Sequence, residues 1–563
     1  MEDYSNVMRG IPMEPLTAPT ARSKLRFNSL TSFLDWCTNC GLCSRFVKLV
    51  VCPNGRTKMV ARRYIHSNTE IIIFPHSLDL TYSALKAEVF PEKWPGFIEL
   101  ASMIDTFKQS YAWSDNNITR KDCFGDILVF VACIYGVRRK LQTSPKEPTP
   151  LLHTFALYWL AMPPFHGTVL HGWSEEEMAL LKETVIYKDL SDSRCYGVSI
   201  FEGVFLPFIS RYPAYFGDSP VNLSDFMLVC AVVMSLNSFG SDEEDIKLLP
   251  VIDLINRKPN NMHNCSLQGI CIDGHVMRTI ATKCPIVAGE ELFLEYAHIS
   301  NSEFLMNKHY IPLDKDVIMN NIKTVITFNM AKYFNLILKK IHPDAPALRD
   351  AKKSHIFSTT GVPKTLVVSE EVVKKYGIQC FRQVLIFVQS DEQAMKQTIQ
   401  TQRLKYKVNS FLLFQSFVLL IETQLGRPNI KLFQALAEDP GRFNDNMTSA
   451  ILLQMSERIV VEKFMNAFID LFDEIQFPMA LSIMGAHMVA EEISAVLTEL
   501  EKEDTVARTK MCMICGSIEH VVRCSRCHSA FYCGSACQQY HWKAGHKKDC
   551  KKAPPPPPAI VDT

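Results

Sequence analysis

CMICGSIEHVVRCSRCHSAFYCGSACQQYHWKAGHKKDC, residues 512–550, sets eight metal-binding side chains in four close pairs. Cys512 and Cys515 are spaced C-x2-C, as are Cys524 and Cys527. Cys533 and Cys537 follow as C-x3-C, and His546 and Cys550 close the set as H-x3-C. Thiolate and imidazole are the donors that tetrahedral zinc prefers, and eight of them fill two closed four-ligand sites. So short a segment carries too little apolar surface to fold alone, so metal has to supply its stability. Buried or disulfide-bonded cysteines are the plainer alternative, and four ligand pairs in succession argue against it.

The same stretch resembles a MYND zinc finger in its ligand order, in Tyr532 before Cys533, and in Trp542 between the third and fourth pairs. That resemblance implies interleaved ligands. Cys512, Cys515, Cys533 and Cys537 would hold one zinc, and Cys524, Cys527, His546 and Cys550 the other. His520, His528 and His541 fall outside the pattern and read as solvated surface histidines, with Trp542 packed against the second site. Fingers of this type are protein-interaction modules that take short proline-containing peptides, so a protein partner is implied. Between Thr505 and Lys552 nine Lys and Arg stand against two Asp and Glu. Seven thiolates and two zinc ions remove about three charges, leaving an excess of about four. Without a groove-reading helix, that modest field makes nucleic acid the weaker reading.

Composition bounds the rest. A chain of 563 residues holds two or three domains, and a net charge of +1 with 47% hydrophobic residues describes a soluble globular protein, not a polyanion binder. No basic-then-apolar leader opens it, which argues against a secretory signal. The most apolar runs, near Ile127–Val137 and Phe411–Ile421, fall short of the roughly eighteen residues that cross a bilayer. Nineteen cysteines, seven of them reserved for zinc, point to a reducing compartment, cytoplasm or nucleus. Cys37, Cys40 and Cys43, with Cys52 beyond, superficially match an iron–sulfur run. However, TSFLDWCTNCGLCSRF also reads as a short helix with Phe33, Trp36 and Cys40 on one apolar face, and the fourth cysteine sits too far along. The hydrophobic reading is preferred.

Ahead of the finger, residues 1–23 carry three prolines and no periodicity, which predicts a loose tail. FVKLVV and TEIIIF read as short strands separated by the turn signal Pro53-Asn54-Gly55. DILVFVACIYGVRRK reads as a buried helix, and Ser174 with Glu177 forms a capping box. Strand texture returns at LLPVIDLI, and two alternating runs meet at Asp273-Gly274 as a hairpin. ELFLEYA is a further strand. From Asp314 to about Asp504 the pattern is helical. The outline is an α+β domain over 24–313 with a helical insertion at about 90–190, then an all-α domain over 314–504, the finger, and a proline-rich tail at 551–563. Pro554–Pro558 reads as a short polyproline II spacer.

Periodicity does not say what the α+β domain does, since no phosphate loop or catalytic triad order precedes the finger. LLPVIDLINRKP, followed by VAGEELFLEYAHISNSEFLMNKHYIP, resembles the end of a SET domain of the Rubisco large-subunit methyltransferase subgroup. FLDWC and TEIIIFPHSLDLT match the opening of that subgroup. Its long helical insertion and helical substrate-binding domain fit the two helical regions. The resemblance implies S-adenosylmethionine-dependent methylation of protein lysine. It makes Tyr296 the catalytic tyrosine that orients the lysine amine, and places Asp253, Asn256 and Arg257 in the motif that approaches the cofactor. Ser300, Asn301 and Glu303 fit the stretch just beyond.

Four departures lie near that site. Arg56 and Lys58 replace the Gly-x-Gly that lets backbone approach the cofactor, where a side chain obstructs unless the path differs. An Asn-His pair has become Asn256-Arg257. Leu236 stands where an arginine precedes Ser238 and Phe239. Lys308-His309-Tyr310 replaces Tyr-Gly-Phe, putting a cation beside the lysine channel. Retained Tyr296, Asn256 and Asp253 favour a working protein-lysine methyltransferase whose finger docks partners or substrate. The departures favour a SET-derived scaffold that binds protein without catalysis, unless Arg56, Lys58 or Arg257 has taken over the cofactor's carboxylate.

Overall fold

The computed structural model describes residues 8–14, 21–52, 57–88, 96–110, 128–136, 157–158, 172–216, 220–236, 247–258, 263–272, 274–295, 299–320, 326–341, 343–344, 346, 350, 365–368, 410–470, 489–508, 511–527 and 529–550. They fall into two packed units, one comprising Met1–Gly172, Ser193–Ala297 and Lys502–Thr563, the other Trp173–Asp192 and His298–Glu501. The turn Pro53-Asn54-Gly55, residue Asp273 and the Pro554–Pro558 run lie outside the described residues.

In the first unit, branched and alternating runs become short strands: β1 (Met8–Arg9), β2 (Cys43–Ser44), β3 (Val47–Val51), β4 (Thr57–Ala61), β5 (Glu70–Pro75), β6 (Leu80–Thr81), β7 (Lys247–Leu248), β8 (Arg257–Lys258), β9 (Cys265–Ile272), β10 (His275–Thr282) and β11 (Leu294–Glu295). Seven make one sheet in the order β1-β2-β5-β10-β9-β11-β8. The β9–β10 hairpin turns at Gly274 and stays in register from His275↔Ile272 to Thr282↔Cys265. β11 is the topological feature of note: it slides between β8 and β9 and runs parallel to both. β3 and β4 form their own antiparallel hairpin, in which β3 alternates buried and half-buried residues as a strand with one covered face must.

The helix Ala21–Asn39 presents Phe33 and Cys37 to the core, both 0% exposed, with Trp36 and Cys40 packed at its edge. Burial pushes the Cys37 thiol up to about 12, so it behaves as a hydrophobe. Among the described residues these cysteines gather no metal group. Residues 128–136 form a helix buried all round, as an unbroken apolar run requires.

Two expectations change in this unit. The segment Met8–Glu14 is not loose: β1 pairs with β2, and Pro12 and Glu14 exchange hydrogen bonds with Leu49 at 2.9 and 2.8 Å. The LLPVIDLI run keeps only β7 as strand before the short helical turn Ile252–Leu254. It breaks at Val251, which sits at φ +71° and ψ −50° with Ile252 N–H donating to Pro250 O at 2.8 Å. That is a γ-turn centred on a β-branched residue, a conformation costing about 1–3 kcal/mol and held by its surroundings.

The second unit is built on the helix Asp445–Asp470. Ser174 caps the helix Glu175–Leu181 in a full capping box with Glu177, whose buried carboxylate also accepts from Asn444 and Asn446 at 2.9 Å. Glu457 accepts from Val185 N–H and Ser302 Oγ, and Asn301 Nδ2 donates to Ser456 Oγ at 2.7 Å. Among the described residues, the helical reading of 314–504 gains one exception, an antiparallel ladder of Ile326–Asn329 with Thr365–Val368.

Candidate functional site

Two sulfur-rich clusters form in the finger. Its first turn closes through Cys512 N–H to Ser517 O and Gly516 N–H to Cys512 O, and its second through Cys524 N–H to Ala530 O. The ladder of Val522–Arg523 with Phe531–Tyr532 brings the two turns together. Cys512, Cys515, Cys533 and Cys537 then face one another, as do Cys524, Cys527, His546 and Cys550, with the donor atoms of each set all within 4.8 Å. This is the interleaved arrangement. The donor separations fit zinc: Cys533–Cys537 is 3.7 Å and Cys524–Cys550 is 3.8 Å. Sulfurs bound at 2.3 Å to one tetrahedral ion lie about 3.8 Å apart. Cys527 Sγ to His546 Nε2 is 3.6 Å, again the separation a shared tetrahedral ion imposes.

The electrostatics agree. Burial works against the Cys512 thiolate, but backbone N–H groups of Cys515, Cys533 and Ile514 outweigh it and bring the thiol to about 7. Cys527 falls to about 6 by hydrogen bonds at Ser529 that outweigh burial. Cys537 and Cys550 are pushed upward, by burial first and then by the neighbouring thiols. One thiolate ionises readily and the next resists, until a divalent cation compensates the accumulated charge. His541, read as a surface residue, instead stacks on the ligand His546 at 4.7 Å and 15° and shares a 2.9 Å hydrogen bond with Tyr532 Oη. Trp542 meets His546 edge-on at 6.0 Å, and His520 is exposed. His528 lies outside the described residues. Beside the second cluster, Ser525, Arg526, Gln538, Gln539, Trp542 and Lys543 line a groove of about 480 Å³.

The finger rests on its own unit's β-structure. Ala288 N–H donates to Met513 O at 2.9 Å and Tyr64 N–H to Ile514 O at 2.7 Å. Tyr540 Oη bonds His66 Nε2 at 2.6 Å, and the Tyr64 ring meets Tyr540 edge-on at 6.0 Å. Glycine permits this approach at two points. A Cβ on Gly516 would come within 2.7 Å of Arg62 O, and one on Gly289 within 2.5 Å of Met511 Sδ; both have positive φ.

The second constellation surrounds Asn256. Its Nδ2 donates to Thr57 O at 3.1 Å and Glu291 Oε1 at 2.6 Å, while its carbonyl accepts Leu294 N–H at 3.0 Å. Lys58 Nζ stands 3.8 Å from Glu291 Oε2, its side chain 41% exposed against 8% for Glu291. Asn256 is thus tied to β4, to the Glu291 segment and to β11. Asp253 accepts Tyr158 Oη at 2.5 Å and Leu249 N–H at 2.9 Å, which makes it a brace for the turn before Asn256. Arg257 donates from Nη1 to Glu295 O at 3.1 Å. Sequence reasoning passed over Glu291 and Asn264. Asn264 pins the same segment, donating to Glu291 O at 2.9 Å and accepting Phe293 N–H at 2.8 Å. Polar residues at the mouths of otherwise apolar runs were the available signal.

Tyr296, Arg56, Ser238 and Phe239 lie outside the described residues, and Leu236 ends the helix Leu223–Leu236. Ser300 and Glu303 belong to the other unit, where they form a capping box on the helix Asn301–Lys308. The Ser-Asn-Ser-Glu spacing is legible as such in the sequence. Asn301 is spent on Val317 O and Ser456 Oγ. His309 takes φ +64° as the C-cap, the conformation glycine would otherwise supply, and Tyr310 packs edge-on against Phe304 at 5.5 Å. The S-adenosylmethionine that the resemblance implies presents a carboxylate; Arg257 follows Asn256 in the chain and Lys58 follows Thr57, whose carbonyl Asn256 holds, so two partly exposed cations lie next to the residues that would meet that group.

The MYND finger family model matches residues 512–550. Two curated Arabidopsis thaliana proteins are similar there: ubiquitin carboxyl-terminal hydrolase 19 is 48% identical over 46 residues, and ubiquitin carboxyl-terminal hydrolase 17 is 42% identical over 48. These stretches are 8% of this chain and only 7% and 6% of those proteins, so the likeness is of the finger alone. The structure of the SET domain of LSMT bound to methyllysine and AdoHcy is similar over 81% of this chain and 96% of that one, with a TM-score of 0.50 and 17% identity. The structure of Rubisco LSMT bound to AdoMet covers 80% and 93% with a TM-score of 0.48, also at 17% identity. The chain therefore combines a SET-domain fold with a MYND finger whose two Cys/His clusters are arranged for zinc.

Proposed function

We propose that this chain is a protein-lysine methyltransferase that recruits protein through its finger. The observation that carries the reading is Asn256, fixed by β4, Glu291 and β11 at the point where β11 threads between β8 and β9 in a SET fold. S-adenosylmethionine, when bound, supplies an electrophilic methyl group on sulfur. Asp253 and Asn256 hold the cofactor-side segment, and Lys58 and Arg257 receive the carboxylate that the missing glycines and histidine no longer attend. Tyr296 orients the neutral lysine amine, whose proton is lost when a narrow channel desolvates it. The groove beside the second zinc cluster takes a short proline-containing peptide, with Trp542 as its aromatic wall. Nucleic acid is not the partner in this reading. The reading assigns the protein to the cytoplasm or nucleus, because zinc thiolates have to stay reduced.

One observation favours a second reading, a scaffold without catalysis. Asn256 spends Nδ2 on two internal acceptors, and Lys58 leans on Glu291, so the constellation already balances its own charges. Calorimetric titration of the zinc-loaded full chain with S-adenosylmethionine decides. Binding at millimolar cofactor or below, weakened tenfold or more by Lys58→Ala with Arg257→Ala, supports the enzyme. No heat at millimolar cofactor abandons it for the scaffold. Where binding is seen, Tyr296→Phe lowers turnover with cofactor affinity intact; unchanged turnover removes Tyr296 from its role.

A further inference from the structure

The finger shares its backbone hydrogen bonding with the sheet that seats Asn256, and it does so through its first zinc turn. Met513 accepts from Ala288 and donates to Phe531 O at 3.0 Å, so it links the turn at Ala288 to the finger's own ladder. Ile514 accepts from Tyr64. The turns carrying Tyr64 and Ala288 are also joined to each other, Ile65 and Ile286 exchanging hydrogen bonds at 2.8 and 2.9 Å. From there the ladder runs inward without a break. Gly289 N–H donates to Ala61 O at 2.8 Å, Ala61 N–H to Glu290 O at 2.9 Å, and Leu292 N–H to Met59 O at 2.8 Å. Between those last two lies Glu291, which holds Asn256 and faces Lys58.

We propose that the first zinc turn is a clasp on the sheet: zinc at Cys512, Cys515, Cys533 and Cys537 fixes the turns 62–66 and 286–289, and through them the seat of Glu291 beneath Asn256. The physical reason is the short lever. Met513 and Ile514 lie between two ligands of one ion, so their carbonyls point at Ala288 and Tyr64 only while the four sulfurs are held together. Loss of the ion frees the turn, the two acceptors leave, and the donors of two turns on the sheet lose their partners. A finger joined only by its tether would leave the sheet indifferent to metal. The importance of Asn256 rests on the proposed function, but the coupling itself is read without cofactor.

Hydrogen exchange on the full chain tests it, with the metal alone as probe. Chelation of zinc is expected to raise exchange in 62–66 and 286–294 about fivefold for each hydrogen bond lost, with the helix Asp445–Asp470 unchanged. Ala288→Pro is the second arm. Ala288 is the second residue of a turn closed by Glu290 N–H to Val287 O, with Gly289 third at φ +79°, a position where proline fits the turn and only the donor to Met513 is removed. That variant is expected to keep two zinc ions while exchange at Gly289–Leu292, the stretch released from Met513, rises. Exchange confined to 511–550 on chelation, or an unmoved 289–292 segment in Ala288→Pro, overturns the clasp. Either result leaves the cofactor titration free to stand or fall by itself.

Discussion

Replacing Glu457 by Gln should stabilise the helical unit at pH 8 and do almost nothing at pH 5. Glu457 is 1% exposed in the helix Asp445–Asp470. Burial raises its carboxyl from 4.5 to about 7, although Val185 N–H, Ser302 Oγ and the neighbouring Arg458 all hold it partway down. The folded state therefore binds more protons than the unfolded chain between pH 4.5 and 7, and stability falls as pH rises through that window. The group's contribution is complete below the unfolded value and is lost once pH passes the folded one. A shift of about 2.5 pH units at 1.36 kcal/mol each amounts to about 3 kcal/mol, of which under about 1 is gone by pH 5. Gln keeps an acceptor for Val185 and cannot ionise. Hydrogen exchange of the Asp445–Asp470 amides, compared between the two proteins at each pH, cancels the intrinsic pH dependence. Glu457→Gln should gain about a hundredfold protection at pH 8 and less than fivefold at pH 5. A ratio that does not change with pH refutes the reasoning.

Three further outcomes can be measured. Asn256→Ala strips Glu291 of its 2.6 Å partner and leaves Thr57 O without its side-chain donor, so urea unfolding should show a loss of about 2–4 kcal/mol, and a change below about 0.5 would deny Asn256 its structural role. Phe33→Ala opens a cavity at a fully buried ring that meets Tyr158 edge-on at 5.9 Å, and should cost about 3–5 kcal/mol by the same assay. Metal counting separates interleaved from sequential ligands: the Cys512→Ser, Cys533→Ser double variant should keep about one ion, whereas the Cys512→Ser, Cys524→Ser double variant should lose both. Sequential sites would reverse those counts.

The finger was legible because ligand chemistry is written in single residues at fixed spacing; the four ligand pairs follow from spacing alone, whereas their interleaved grouping came from the family resemblance and depends on the ladder of Val522–Arg523 with Phe531–Tyr532. The capping box at Ser174 and the hairpin around Gly274 were legible for a similar reason, since each is decided within four residues. Partnerships at long range were not. Nothing local announces that Met8–Arg9 will pair with Cys43–Ser44, or that a tail with three prolines will exchange hydrogen bonds with Leu49. Nor does the position of Glu291 in the run before β11 reveal that its carboxylate meets Asn256 and Lys58. His541 was misjudged because stacking on His546 follows from helical placement around a metal ligand, not from a spacing rule.

The central pairing of the sheet also bears on how the chain is made. β5 meets β10 through contacts such as Thr279 Oγ1 to Ile72 O, 207 residues apart. Ile71, Ile72 and Phe74 are among the most apolar residues of the sheet, and one edge of their strand has no partner until β10 leaves the ribosome. At ordinary elongation rates that interval lasts about 10–40 s. For that time an apolar strand edge waits for its partner while the helical insertion is still being synthesised, which ties the folding yield of the sheet to translation speed.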